Sequence, residues 1–335
     1  MPNIAVLGCG RIGVMHAANI ASHPLARLAG VFDINGAAAK ACGERHGVRV
    51  FESADDIFAS RDVDAVLIAT STSTHSDYIE AAVAAGKPVL CEKPIDLDIK
   101  RVNLCKERIG STKTPIMLGF VRRFDLGHRS ARESMMRGEI GELHQVIITS
   151  RDPGMAPDAY IEVSGGIFRD MTIHDFDLAR YMLNDEIETV SATGSRLVDP
   201  ALMNRCNDFD TVVVTMTTRS GKQAIITNSR QAVYGYDQRV ELFGNKGMLI
   251  SENRRHTQVT KHLKDATSIS EPLLNFFIER YAEAFNAEIN SFVQAINGKA
   301  PVEVGFEDGR IALLLAEAAF KSAHEKRVIQ MNEIN

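Results

Sequence analysis

Over the first 120 residues the apolar positions fall into short runs, separated by stretches with helical spacing. The runs at 3–7, 27–32, 48–50, 65–69, 88–91 and 116–120 read as strands. The stretches around 12–22, 37–47, 73–85 and 97–109 read as helices. Strands alternating with helices predict βαβ units and a parallel, doubly wound sheet. The run Ala65-Val66-Leu67-Ile68-Ala69 is apolar throughout, as suits a strand covered on both faces.

The pattern changes after Phe120. A helix is predicted over 126–137, a strand over 144–151, and a helix over 170–183 behind Gly165-Gly166. Further strands are predicted over 189–197, 211–219, 223–230, 239–243, 248–252 and 258–261, some of them divided by Gly-containing turns. Helical stretches over 272–297 and 307–324 follow. The fold class expected is α/β: an N-terminal Rossmann-type, doubly wound domain at 1–120, then an α+β domain at 121–335 with an open, mainly antiparallel sheet.

A chain of 335 residues that is 45% apolar can fill a core in each of two domains. Its net charge of −5 comes without a basic block, which argues against nucleic acid. No run reaches the ~18 apolar residues of a membrane span. The N-terminal residues enter a strand at once rather than a signal peptide. Cys9, Cys42, Cys91, Cys105 and Cys206 are scattered, with no CxxC pair, so neither a disulfide frame nor a zinc knuckle is expected. A reducing, cytoplasmic compartment fits this usage.

Gly8-Cys9-Gly10-Arg11-Ile12-Gly13 matches G-x-G-x-x-G between a strand and a helix, and Asp33 ends the next strand, 20 residues after Gly13. In that context the glycines admit a pyrophosphate at a helix N-terminus. Asp33 can accept from the adenine-ribose hydroxyls and would repel a 2′-phosphate. Ile34-Asn35 supplies no arginine in compensation, so NAD is expected rather than NADP.

Glu92-Lys93-Pro94 follows a buried strand. A lysine there is costly on packing grounds unless a ligand uses it, and strand carboxyl ends are where doubly wound sheets bind ligands. A helix beginning near Asp170 would put Asp170 and His174 at i and i+4 on one face. Histidine is a natural base for a hydroxyl proton, and a carboxylate one turn away can orient it. Asp170, His174 and Asp177 also share a stripe that could bind a metal, but no recognised ligand spacing supports one, and none is expected. Arg122 and Arg123 are expected to pair with Asp125 at the surface.

These motifs, in this order, resemble the glucose–fructose oxidoreductase/inositol dehydrogenase family over essentially the whole chain. The runs 122–125, 170–177 and 232–239 are similar to bacterial inositol 2-dehydrogenases. The resemblance implies NAD bound by Gly8, Gly10, Arg11, Ile12, Gly13, Asp33, Ile34, Thr70, Ser71, His75, Glu92 and Lys93. It implies Lys93, Asp170 and His174 as catalytic and substrate-binding residues, with Tyr234 a further polyol contact. It also implies a cis Lys93–Pro94 bond, a homotetramer, and oxidation of a cyclic polyol such as myo-inositol to 2-keto-myo-inositol. Ser71 stands where many relatives carry proline. Competing readings are another sugar or polyol dehydrogenase of the family, an NAD-dependent glycosidase, and a non-enzymatic NAD sensor.

Overall fold

The computed structural model describes residues 1–334. They divide into two compact units, residues 1–124 with 283–313, and residues 125–282 with 314–334.

The first unit opens with β1 (Asn3–Leu7), α1 (Arg11–Ser22), β2 (Arg27–Phe32), α2 (Gly36–His46), β3 (Arg49–Val50), α3 (Ala54–Ala59), β4 (Ala65–Ile68), α4 (His75–Ala84), β5 (Val89–Cys91), α5 (Ile99–Ile109) and β6 (Ile116–Leu118). The six strands are parallel in the order β3-β2-β1-β4-β5-β6. The order reverses between β1 and β4, where open sheets of this kind leave a crevice. Every residue of β4 and β5 is buried, as the unbroken apolar runs required. Short polar side chains set the helix starts. Asn35 accepts from Ala37 N and Ala38 N, Ser53 from Asp56 N, and Asp98 from Lys100 N. The α3 helix has only six residues, too few to show a period in the sequence.

The second unit contains α6 (Leu126–Met136), β7 (Leu143–Arg151), α7 (Asp158–Ile161), α8 (Ile167–Asp170), α9 (Thr172–Leu183), β8 (Ile187–Ser195), α10 (Pro200–Arg205), β9 (Thr211–Thr218), β10 (Gln223–Ser229), β11 (Asp237–Gly244) and β12 (Gly247–Ser251). It also holds the ribbon β13 (Thr260–Lys261) with β14 (Ile269–Ser270), and α11 (Phe277–Arg280). After α12 (Ala282–Ile296) and α13 (Phe306–Glu325), the two-residue β15 (Ile329–Gln330) closes a seven-stranded sheet of order β12-β11-β7-β10-β9-β8-β15. Only β7 and β10 pair in parallel, so the sheet is mainly antiparallel as expected. Helix α9 packs over β7 and β10.

Three predicted elements differ, one of them the helix expected over 272–297, which starts only at Phe277 and is interrupted at Tyr281 to give α11 and α12. The strand expected at 258–261 shrinks to Thr260–Lys261, whose partner is Ile269–Ser270 rather than the main sheet. All four residues are exposed, so no apolar face anchors them to a core. The helix expected over 170–183 is broken at Met171, giving α8 and α9.

Residues 283–313 return to the first unit. Leu118 N donates to Val304 O at 2.9 Å, so 304–305 cover the outer edge of β6. Gly309 lets α13 close on β6: a Cβ there would lie 3.1 Å from Leu118 Cγ.

Candidate active site

In the first unit, the residues expected to hold a dinucleotide all stand at the carboxyl ends of β1, β2, β4 and β5. Gly8 has φ +97°, and a Cβ there would lie 2.3 Å from Ala69 O. A Cβ on Gly13 would lie 1.9 Å from Gly8 O. Both positions exclude any side chain. Helix α1 begins at Gly10 with no side-chain cap, which leaves its first N–H groups facing outward as phosphate donors. Asp33 accepts from Cys9 N at 2.6 Å and from Asn35 N at 2.7 Å. Its carboxylate therefore shapes the glycine loop and keeps lone pairs for ribose hydroxyls. Ile34 beside it is 91% exposed, an apolar side chain placed where an adenine ring could cover it. Donors, glycines and carboxylate fit NAD together.

Ser71 takes φ −67° and ψ 141°. Proline prefers that φ, so serine leaves the turn shape unchanged. His75 is buried, with Nδ1 2.7 Å from Pro94 O and Nε2 3.1 Å from Thr70 O. Burial pushes this imidazole below the usual histidine range. A neutral ring donates from one nitrogen only, and the shorter distance places that proton on Pro94 O. His75 thus ties the loop after β4 to the turn after β5. The Lys93–Pro94 bond is cis, as the resemblance implied, and Lys93 is half-buried.

In the second unit, Asp170 is the last residue of α8 and His174 lies in the first turn of α9. They belong to two short helices, not to one continuous face. Asp170 Oδ1 accepts from the Tyr160 hydroxyl at 2.7 Å, and Oδ2 from Arg230 Nη1 at 3.2 Å. Burial and the nearby Asp170 charge push the Tyr160 hydroxyl well above the usual phenol range, so it remains a donor. Arg230 Nη2 also faces Asp208 Oδ2 at 3.6 Å, an ion-pair distance beyond a hydrogen bond. Asp208 Oδ1 in turn accepts from Ile167 N at 2.9 Å, fixing the start of α8. Asp175, fully buried, accepts from Asn228 Nδ2 at 2.9 Å.

Tyr160, Asp208 and Arg230 were not picked out from the sequence. They come from α7, a loop and the end of β10, and no short motif links them. The Tyr234 hydroxyl donates to Asp237 Oδ2 at 2.7 Å and accepts from Arg151 Nη1 at 2.8 Å. Its proton is therefore committed within the fold. The pairing expected around Asp125 is corrected. Arg122 and Arg123 are buried rather than on the surface. Arg123 bonds Asp308 Oδ1 at 3.0 Å, while Asp125 pairs with Arg280 and caps α6 through His128 N.

Residues 2–120 match the oxidoreductase family with an NAD-binding Rossmann fold, and residues 128–250 match the GFO/IDH/MocA C-terminal domain. An inositol 2-dehydrogenase of Rhizobium meliloti (strain 1021) is 47% identical over 97% of this chain and 98% of its own length.

The chain belongs to the GFO/IDH/MocA oxidoreductase family.

Solved structures of the family agree with this fold. That of a myo-inositol dehydrogenase from Corynebacterium glutamicum ATCC 13032 superposes with a TM-score of 0.95, at 46% identity over 98% of each chain. A scyllo-inositol dehydrogenase from Lactobacillus casei, solved with NAD(H) and scyllo-inositol, superposes at 0.91, with 32% identity over 99% of each chain. As in this family generally, the Rossmann unit is the NAD-binding domain. Among the described residues no helix is long and apolar enough to cross a membrane.

Proposed function

We propose that this oxidoreductase is an NAD-dependent inositol 2-dehydrogenase that oxidises myo-inositol to 2-keto-myo-inositol. The observation that carries the reading is near-half identity, along essentially the full length, to relatives named for that activity. NAD, when bound, supplies the hydride acceptor at nicotinamide C4.

His174 is assigned as the general base that takes the substrate hydroxyl proton as the C–H hydride leaves. Asp170, held by Tyr160 and Arg230, favours the imidazolium that results. Lys93 is assigned to the reacting oxygen, where a cation stabilises developing negative charge. The products are the ketone, the reduced cofactor and one proton. Tyr234 is left a rim role as an acceptor, because its own proton goes to Asp237. Asp33 supports NAD over NADP.

The reading extends to self-association, a tetramer by family expectation. Val213 and Phe243 are exposed on strands whose alternate residues are largely buried, Met248 and Ile250 are exposed on β12, and exposed apolar sheet faces mark protein interfaces. The five free cysteines suit a reducing, cytoplasmic setting.

A panel of cyclic polyols and sugars, each with NAD and NADP, tests the reading. NADH formation with myo-inositol as the best substrate supports it. Preference for another ring, or glycoside cleavage without net NADH, overturns it.

A further inference from the structure

One carboxyl group of the first unit is buried without a partner. Glu288 on α12 has no solvent exposure, and neither of its oxygens has a hydrogen-bond partner among the described residues. Two other titratable groups of the same unit converge on it. His16 of α1 is 1% exposed, and its Nε2 lies 2.8 Å from Glu92 Oε1. Its Nδ1 has no hydrogen-bond partner among the described residues. One nitrogen or oxygen from each of His16, Glu92 and Glu288 lies within 4.8 Å of the others.

A buried carboxylate with no donor does not persist: it takes up a proton or a cation. The distances favour the proton. Nitrogen and oxygen atoms bound to one divalent ion at ~2.1 Å sit about 3 Å or more from each other. The 2.8 Å approach of His16 to Glu92 is instead that of an N–H···O⁻ hydrogen bond. With Nε2–H donating, Glu92 is the acceptor of that bond. Burial first, and the Glu92 charge second, push the Glu288 carboxyl well above the usual range. A carboxylate has several lone-pair sites, so Glu92 can accept from His16 Nε2 and still take a second proton, the one on Glu288.

We propose that Glu288 is a neutral acid that shares its proton with Glu92, and that this contact positions the strand-end turn carrying Lys93. Glu92 is confined on its other sides as well. Its backbone N–H donates to Ile68 O at 2.9 Å, and a Cβ on Gly119 would lie 2.9 Å from its Oε2. Glu288 is therefore a positioning residue, and it acts through Glu92. Its effect on turnover rests on the role proposed for Lys93. Its protonation does not.

The test uses the full-length enzyme and its Glu288→Gln and Glu288→Leu variants. Infrared spectra above neutral pH are expected to show a protonated-carboxyl band that shifts in D₂O and is missing from Glu288→Gln. The folded chain keeps a proton that the unfolded chain releases above pH ~4.3. The thermal midpoint of the wild type should therefore fall relative to Glu288→Gln as pH rises. Glutamine keeps a donor, so its kcat stays within about fivefold, the worth of one neutral hydrogen bond. Leucine removes the donor, and a shift of Lys93 by about 1 Å would lower kcat by ~10²-fold. NADH binding, followed by fluorescence, reports on the turn even if inositol is not the substrate. Absence of the D₂O-sensitive band overturns the proposal. So does zinc or manganese that purifies with the wild type and is lost in Glu288→Gln. Equal kcat and NADH affinity in glutamine and leucine variants would overturn the positioning role alone.

Discussion

Arg230, 2% exposed, donates to Asp170 Oδ2 at 3.2 Å from the end of β10. Asp170, proposed to orient the base His174, therefore depends on a cation far from it in sequence. Removing that cation leaves Asp170 and Asp208 short of positive charge in a mostly buried setting. An Arg230→Met variant is expected to lose about 3–5 kcal/mol of stability, as breaking a buried pair does. Tyr160→Phe removes one hydrogen bond and should cost only about 1 kcal/mol. Thermal denaturation of both variants checks the order. An Arg230→Met protein as stable as wild type would contradict it.

Asp33 shapes the glycine loop through Cys9 N and Asn35 N, and is read as the group that rejects a 2′-phosphate. Asp33→Asn keeps an acceptor oxygen but removes the charge. It should raise KM for NAD by about 10–100-fold, the loss of a charged hydrogen bond, and narrow the gap to NADP. Unchanged cofactor preference would refute the assignment.

The Asp125–Arg280 pair is buried on both sides. Burial alone would raise Asp125, but His128 and Arg280 hold it below the usual carboxylate range. A carboxyl lowered in the folded state contributes stability above its unfolded value near 3.9, and that stability disappears as pH falls through the folded value. Arg280→Met should therefore be least stable relative to wild type near neutrality, by about 3–5 kcal/mol, with the gap closing as pH falls through the lowered folded value. Urea unfolding across pH measures this gap, and a pH-independent difference would count against the pair.

Ser71 already has the φ that proline prefers. Ser71→Pro is expected to leave activity intact and to add up to about 1 kcal/mol by stiffening the unfolded chain. A marked drop in melting temperature would show that the turn needs the serine.

The Rossmann unit was legible because its cues are local. Buried runs such as Ala65–Ile68, the glycines around Gly10 and the lysine after β5 each sit within a few residues. The second unit's sheet was legible from alternation, as in β9. The break at Met171 was not, because residues 170–183 carry no proline or glycine to mark it. Nor were the supports of the site. Tyr160, Asp208 and Arg230 reach Asp170 and α8 only through the tertiary fold, as Glu288 reaches Glu92. The partner of Arg123 was misread for the same reason: Asp125 is near in sequence, but Asp308 lies 3.0 Å away in the structure.

His174 is proposed to deprotonate a ring hydroxyl of myo-inositol as NAD is reduced. The most direct measurement of this step is the rate of NADH formation from myo-inositol, across about pH 6 to 9, by wild type and His174→Ala. The wild-type rate is expected to rise with pH as a histidine loses its proton, and His174→Ala to lose about 10²–10⁴-fold with the rise abolished. A His174→Ala enzyme that keeps both rate and pH profile would contradict it.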